Sequence, residues 1–303
     1  MELSNNGKPW IMIIKFQRLC ELKYGIYPYC FLYGNGSKGI DFHVDLAVAA
    51  EDAGWDGFFI WDHIWACWEG TMGVVDSWIV MAAVAAKTEE IMIGPMVTPI
   101  PRRRPSKLAR ETASLDCLSN GRLILGVGLG GFQEEFDHFG DTSNPKVRAK
   151  MLDEGLEVLT GLWSGEPFSF EGEYYQQKEV TFLPKPVQKK IPIWVAGYWP
   201  KKAPFKRAAR YDGVFPLAGG EDGISIEGIK ETLSIIEKER GNLLNYDVVV
   251  SGDTTGDDKK ADSEKIQLCA DAGMTWWLEY LIDWGKKTPK DLMKRVKQGP
   301  PEL

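Results

Sequence analysis

Apolar residues along this chain come in two alternating rhythms: short unbroken runs of strand length, and longer stretches in which they recur every three or four positions. Residues 22–29 read as a strand. Residues 41–54 place Val44, Leu46, Ala47, Ala50 and Ala53 on one helical face and end on glycine. The alternation continues with a strand at 57–61, an alanine-rich helix at 76–87, a strand at 91–95 and a helix at 105–118 with proline in its first turn. A fourth strand spans 123–128 and a helix 147–163, after which 168–182 alternates like a hairpin around Glu171-Gly172. Strands at 191–196, 213–216, 246–251 and 274–280 then alternate with helices at 203–211, 226–240, 260–272 and 289–296. Counted this way, the chain has the eight strand-helix pairs that close a parallel barrel. Continuous apolar strands are what a sheet covered by helices requires. The expectation is α/β: a (β/α)8 TIM barrel with a hairpin inserted after the fourth helix, as a single domain over 22–303. Residues 1–21 form an N-terminal extension whose apolar piece, 10–16, reads equally as an added strand or an upstream start.

Composition narrows the function. The 303 residues carry a net charge of -7, which argues against nucleic-acid binding, since counterion release needs a basic face. The five cysteines, Cys20, Cys30, Cys67, Cys117 and Cys269, show no C-x-x-C spacing, a pattern expected of reduced thiols in a cytoplasm. The longest apolar stretches are of strand length and no signal-peptide succession opens the chain, so neither membrane insertion nor secretion is expected. The three histidines are far apart, with no H-x-H or H-E-x-x-H, so no catalytic metal is expected.

The run from Leu123 to Gly131 fits the dinucleotide fingerprint G-x-G-x-x-G, yet its context is wrong for a Rossmann unit. Strands and helices precede it, the next periodic helix begins only near Lys146, and no acidic strand end follows at the required spacing. It reads instead as a barrel strand ending in glycines that let backbone N–H groups approach a flat or phosphorylated ligand. In such barrels the site is built from loops after the C-terminal strand ends. Those loops hold Tyr27 to Tyr29; Asp62, His63, Ile64, Trp65 and Trp68; Thr98 and Pro99 with Arg102 to Arg104; Phe132 to Glu135; Gly197 to Trp199; Gly252 and Asp253; and Asp283 and Trp284. His63, beside Asp62, is the candidate proton donor or base; the alternative is a histidine that hydrogen-bonds the rim. His43 and His138 fall on predicted helix and loop surfaces. Twelve tryptophans on a barrel raise a glycosidase reading, which needs two opposed carboxylates; the fourth strand offers glycines where the acid should stand. Glu279 reads as a partner for a buried polar group or a dimer contact.

The stretch from Ala50 to His63 resembles the second-strand region of the luciferase-like flavin-dependent oxidoreductases, the superfamily of bacterial luciferase-like monooxygenases and coenzyme F420-dependent oxidoreductases. The likeness continues through Thr98-Pro99, Arg104-Pro105, Leu108 to Glu111, Gly121-Arg122, Gly126 to Gly128, Glu135-Phe136, Gly140, Arg148, Glu154, Leu162-Trp163, Pro192 to Gly197 and Asp212-Gly213. The resemblance implies a (β/α)8 barrel that binds FMN or coenzyme F420 at its C-terminal face, as a homodimer. Carried over by residue, it makes His63 the catalytic histidine with Asp62 as its acidic neighbour. It places Thr98, Gly128, Leu129, Gly130, Arg148, Ala196 and Gly197 around the cofactor, with Arg148 on the phosphate. Leu129 stands where luciferase has a phosphate-binding arginine, and Gly131 where sugar-phosphate deazaflavin dehydrogenases have an acid. Tyr27, Trp65, Trp68, Phe132 and Trp199 outline an apolar or aromatic pocket for a small-molecule substrate. Monooxygenation with reduced FMN and oxygen, with room for a separate flavin reductase, leads over F420-dependent hydride transfer; a non-catalytic flavin-binding barrel is the further alternative. The rim cations Arg102 to Arg104, Lys201, Lys202, Lys206 and Arg207 could meet the oligoglutamate tail of F420.

Overall fold

The computed structural model describes residues 22–32, 38–65, 73–219, 223–281 and 287–303. The N-terminal extension, Trp68, Asp283 and Trp284 lie outside the described residues.

The predicted rhythm is the observed one. Strands β1 (Lys23–Pro28), β2 (Gly57–Ile60) and β3 (Met92–Pro95) alternate with helices α1 (Lys38–Asp52) and α2 (Ser77–Ala85). A two-residue strand β4 (Thr98–Pro99) and a 3-10 turn (Ile100–Arg102) follow, then α3 (Pro105–Leu118) and β5 (Leu125–Gly128). The short helix α4 (Glu134–Asp137) precedes α5 (Pro145–Trp163), where Asn144 caps the Lys146 and Val147 N–H groups. The inserted hairpin is β6 (Pro167–Glu171) and β7 (Gln176–Thr181), paired antiparallel. The chain closes with β8 (Ile193–Tyr198), α6 (Lys202–Ala208), β9 (Gly213–Leu217), α7 (Ile226–Arg240), β10 (Asp247–Gly252), α8 (Lys259–Asp271), β11 (Trp276–Leu281) and α9 (Pro289–Lys297).

The strand order β3-β2-β1-β11-β10-β9-β8-β5-β4 is parallel throughout. A bridge between Ile93 and Leu123 joins β3 to β5 and completes the ring. Strands β3 and β4 act as one stave, so the barrel has the eight staves expected. Two features were not legible in the pattern: β4, too short to show a period, and α4, one turn inside a loop.

Two apolar layers hold the barrel. The larger lies between strands and helices; the smaller fills the interior with Phe59, Trp194, Trp276, Phe215 and Leu278. Ring centroids lie 5.1 Å apart for Phe59 and Trp194, and 5.2 Å for Trp194 and Trp276. Glycine makes room for these rings: a Cβ on Gly57 would stand 2.4 Å from Phe59. Among the described residues the interior is therefore a packed plug, which leaves the mouth of the barrel for a ligand.

His43 departs from expectation. It is fully buried, its ring nitrogens 2.7 Å and 2.8 Å from the Gly39 and Tyr29 carbonyls. The helix turns this polar residue inward because two backbone acceptors await it, and burial lowers its pKa. His138 is exposed, as expected. Among the described residues the cysteines Cys30, Cys117 and Cys269 are free, no group of side chains could hold a metal, and no helix is long and apolar enough to cross a membrane.

Candidate active site

The loops after β2, β4 and β5 meet at the C-terminal mouth. His63 sits three residues beyond β2, and its Nδ1 is 2.8 Å from Glu135 Oε2; their side chains are 12% and 1% exposed. Glu135 belongs to α4, which follows the glycine run. Its other oxygen accepts the backbone N–H groups of Ile64, at 2.7 Å, and Trp65, at 3.2 Å. Arg102, delivered by the 3-10 turn, stands 3.2 Å from that same oxygen and donates to the Asp62 carbonyl at 2.8 Å. One buried carboxylate thus holds both the His63 ring and the backbone that bears it. Burial opposes its charge, but the His63 hydrogen bond and charge, Arg102 and the Ile64 N–H outweigh burial and keep the acid below the usual glutamate range. An imidazole whose Nδ1 donates to a carboxylate presents Nε2 for proton exchange.

Asp62 was expected to share the catalytic role; the structure engages its carboxylate with partners other than His63. Both its oxygens lie within 2.8 Å of Arg103 Nη2, and it accepts from Thr98 Oγ1 at 2.7 Å and from the Trp78 indole at 3.3 Å. Burial pushes its pKa up, yet Arg103, Arg102 and Thr98 prevail and hold it low. Asp62 is a tie between three loops, because successive residues of an extended chain point to opposite sides. Thr98, expected against the cofactor, is fully buried with its hydroxyl committed to this tie. Arg102 and Arg103, expected as free rim cations, turn inward to these two carboxylates. Lys206 and Arg207 are likewise paired, with Glu239 and Asp153.

Most of the glycine run answers to packing. A Cβ on Gly126 would meet the Pro95 carbonyl at 2.2 Å, and one on Gly128 would meet Val97 at 2.9 Å. Gly130 has φ +87° and faces Phe136; Gly131 alone opens on empty space. Gly128, Ala196 and Val97 gather on top of the interior plug, where Trp61, Leu217 and Tyr280 continue an apolar floor. Arg148, reaching from α5, is buried behind this turn. Its Nη1 donates to the Leu129 carbonyl at 3.3 Å, its guanidinium lies 4.2 Å from the Phe136 ring, and its Nε is buried with no hydrogen-bond partner among the described residues. A buried guanidinium with an unspent N–H fits an incoming phosphate. An apolar floor beside such a guanidinium fits a flavin-type ring with its phosphate tail.

Around His63 stand aromatic rings: Trp61 at 5.2 Å and Phe132 at 5.5 Å, with Tyr27 at 5.8 Å and Tyr280 at 6.3 Å from Trp61. Of the expected pocket residues, Tyr27 and Phe132 join this group. Trp65 turns to pack against His138, ring centroids 5.1 Å apart and tilted by 57°, and Trp199 leans outward, donating to Glu231 on α7 at 2.8 Å. Gly197 packs on Pro204 of α6. Sequence reasoning missed Trp61 as a site member, placed Arg102 on the rim rather than beside Glu135, and did not single out Glu135, although Glu135-Phe136 was part of the quoted likeness.

The sequence profile of luciferase-like monooxygenases matches residues 27–268. The chain belongs to that family. Its members are oxidoreductases, and this chain is one of them. It is 35% identical over 187 residues to an F420-dependent glucose-6-phosphate dehydrogenase of Tsukamurella paurometabola, a match covering 58% of this chain and 53% of that protein. Two solved folds are similar over nearly their whole length. An F420-dependent secondary alcohol dehydrogenase bound to an F420-acetone adduct has TM-score 0.75 and 18% identity, covering 91% of this chain and 96% of the other. The oxygenating constituent of 3,6-diketocamphane monooxygenase of Pseudomonas putida, with FMN, has TM-score 0.69 and 17% identity, covering 92% and 96%.

Proposed function

We propose that this luciferase-like oxidoreductase transfers a hydride between coenzyme F420 and the carbinol carbon of a small alcohol or its carbonyl counterpart, with His63 exchanging the hydroxyl proton. The observation that carries the reading is the His63–Glu135 pair at the mouth, beside an apolar floor and the buried Arg148. F420 when bound supplies a two-electron hydride acceptor. Val97, Gly128 and Ala196 would lie beneath its ring, and Arg148, with the Leu129–Gly130 turn, would hold its phosphate. His63 takes the proton through Nε2 as the substrate oxygen becomes a carbonyl, and Glu135 stabilises the imidazolium that forms. Asp62, locked by Arg103 and Thr98, keeps that segment in place. The deazaflavin is favoured by the relatives whose names state F420 dependence, at the 35% identity given above.

The second reading is monooxygenation with reduced FMN and oxygen, favoured by the family's own description and by the FMN-bound neighbour; it would call for a separate flavin reductase. A spectroscopic titration of the purified chain with F420 and with FMN separates the two. Tight binding of F420, with His63→Ala removing turnover but not binding, is the expected result. FMN binding alone moves the protein to the second reading, binding of neither overturns both, and unchanged turnover in His63→Ala removes its catalytic role. A homodimer and a cytoplasmic location belong to the same proposal; analytical ultracentrifugation and cell fractionation test them.

A further inference from the structure

Strand β3 stops at Pro95 and β4 begins at Thr98, so Met96 and Val97 lie between them, outside both strands. A buried carbonyl in such a break has to find a partner other than the next strand of the sheet. That of Met96 accepts the Tyr27 hydroxyl at 2.7 Å, across 69 positions of sequence, while the Met96 N–H donates to the Ile60 carbonyl at 2.8 Å. The break is held at both of these atoms, and what it presents is Val97. Residues 93–96 and 98–100 are buried, whereas Val97 between them is partly open. Its side chain packs against Gly128, where an added Cβ would stand 2.9 Å away, and Ala196 lies 3.9 Å from that same point. Tyr27 itself is 4% exposed and offers little surface to a substrate. Its ring is fixed on three sides, with centroids at 5.7 Å from Tyr280, 5.8 Å from Trp61 and 5.9 Å from Phe215. Burial, with Tyr280 and Tyr29 near by, pushes the phenol well above its ordinary range, so the hydroxyl stays a donor.

We propose that Tyr27 is a positioning residue for the cofactor: its hydroxyl pins the Met96 carbonyl and so sets where Val97 stands beneath the flavin-type ring. The inference rests on the proposed function, which lays that ring on Val97, Gly128 and Ala196, and deepens it by naming the group that holds the floor in place. Gly128 and Ala196 belong to β5 and β8, whose pairing with neighbouring strands fixes them. Val97 belongs to no strand, and the Tyr27 hydroxyl does for it what a ladder does for the other two. The position matters because a gap of about 0.5 to 1 Å already forfeits a quarter to a half of a van der Waals contact. Without the hydroxyl the Met96 carbonyl is left buried without this partner, and the segment turns to find another donor. Tyr27, expected from the family likeness to line the substrate pocket, therefore acts on the cofactor.

Spectroscopic titration of the full chain with F420 and with FMN tests this, for the parent, Tyr27→Phe, Val97→Ala and the double variant, alongside hydrogen exchange of residues 92–99. Tyr27→Phe keeps the ring and removes only the hydroxyl. It should fold as the parent does by near-UV circular dichroism, and weaken the cofactor that the parent binds about five- to tenfold, the scale of one hydrogen bond. It should also shift the absorption band of the bound cofactor and speed exchange at Met96 to Thr98 about tenfold. A tyrosine that served only the fold would lower the unfolding midpoint and leave the bound spectrum unmoved. Val97→Ala should weaken the cofactor by a similar factor, and the double variant should add little, because both changes act on one contact. Additive losses, or a Tyr27→Phe chain whose exchange, affinity or bound spectrum is that of the parent, overturn the inference while the proposed function stands. A Tyr27→Phe chain that does not fold overturns it too, since the hydroxyl then serves the barrel rather than the cofactor. A parent that binds neither cofactor overturns the proposed function, and this inference with it.

Discussion

Two buried glutamates in this barrel, each beside an arginine, behave in opposite ways. Glu135 lies at the mouth and is held below the usual glutamate range despite burial, by His63, Arg102 and the Ile64 N–H. Glu279 lies on the outer face of β11 under α9, accepting from Thr254 N–H and Oγ1 at 2.8 Å each and from the Trp277 indole at 2.9 Å, with Arg295 at 3.3 Å. Burial is the stronger influence there and pushes its acid up, against Arg295 and those donors. Burial and an arginine are common to both, so neither marks chemistry. What distinguishes Glu135 is that it touches His63, the proposed proton-exchanging group, at the C-terminal mouth of the barrel, whereas Glu279 joins a strand to a helix. Of its two sequence readings, the partner for buried polar groups is the one observed.

The comparison breaks most visibly at His63. His63→Ala should lower kcat by about 10²- to 10⁴-fold with cofactor binding retained, measured by steady-state turnover alongside the spectroscopic titration. Next, Glu279→Ala should cost about 3 to 5 kcal/mol of stability by leaving the buried donors of Thr254, Trp277 and Arg295 without their acceptor. Denaturant unfolding reads the loss, and cofactor titration should not change; a cost below about 1 kcal/mol would mean the cluster is not structural. Glu135→Gln should lower kcat about 10- to 100-fold, as loss of a group that orients a functional histidine does, with a smaller effect on KM. Arg148→Ala should weaken the phosphate-bearing cofactor about tenfold, the loss of a hydrogen bond to a charged group, and leave unfolding by denaturant little altered.

The smallest effect is on pH, and its sign differs between the two glutamates. Glu135, held low, contributes stability that is present above its ordinary value of 4.5 and lost as pH falls through the lower folded value. Glu279, pushed up, contributes most below 4.5 and loses that contribution as pH rises through its folded value. Stability of Glu135→Gln should therefore vary less than that of the parent on the acid side of 4.5, and stability of Glu279→Gln less on the other side. Thermal unfolding across pH 3 to 8 reads both slopes.

Much of the fold was legible because a covered parallel sheet demands unbroken apolar strands, and eight of these alternate with amphipathic stretches. Boundaries shifted by a few residues, as where residues 41–54 became Lys38–Asp52. The site was legible in part. His63 stood out because a histidine at a strand end is uncommon in this chain, and Arg148 through the family likeness. Glu135 is 72 positions away from His63 and Arg103 is 41 away from Asp62, and nothing local marks either pairing. The adjacency of Asp62 to His63 pointed the other way, since an extended backbone separates the side chains of neighbours. The glycine run showed the same limit: its letters matched a phosphate motif, while Gly126, Gly128 and Gly130 are required by Pro95, Val97 and Phe136.

By itself, then, the sequence determined the barrel and pointed to the end of it that carries the candidate site and to the histidine proposed to act there. Those are properties of local period and composition, which act over one turn or one strand. The tertiary structure alone decided which carboxylate serves His63, which arginines are spent, and which aromatic rings face the mouth. Ring closure brings loops far apart in sequence within hydrogen-bond reach, and hydrogen bonds and charges at that range select their partners by distance and direction.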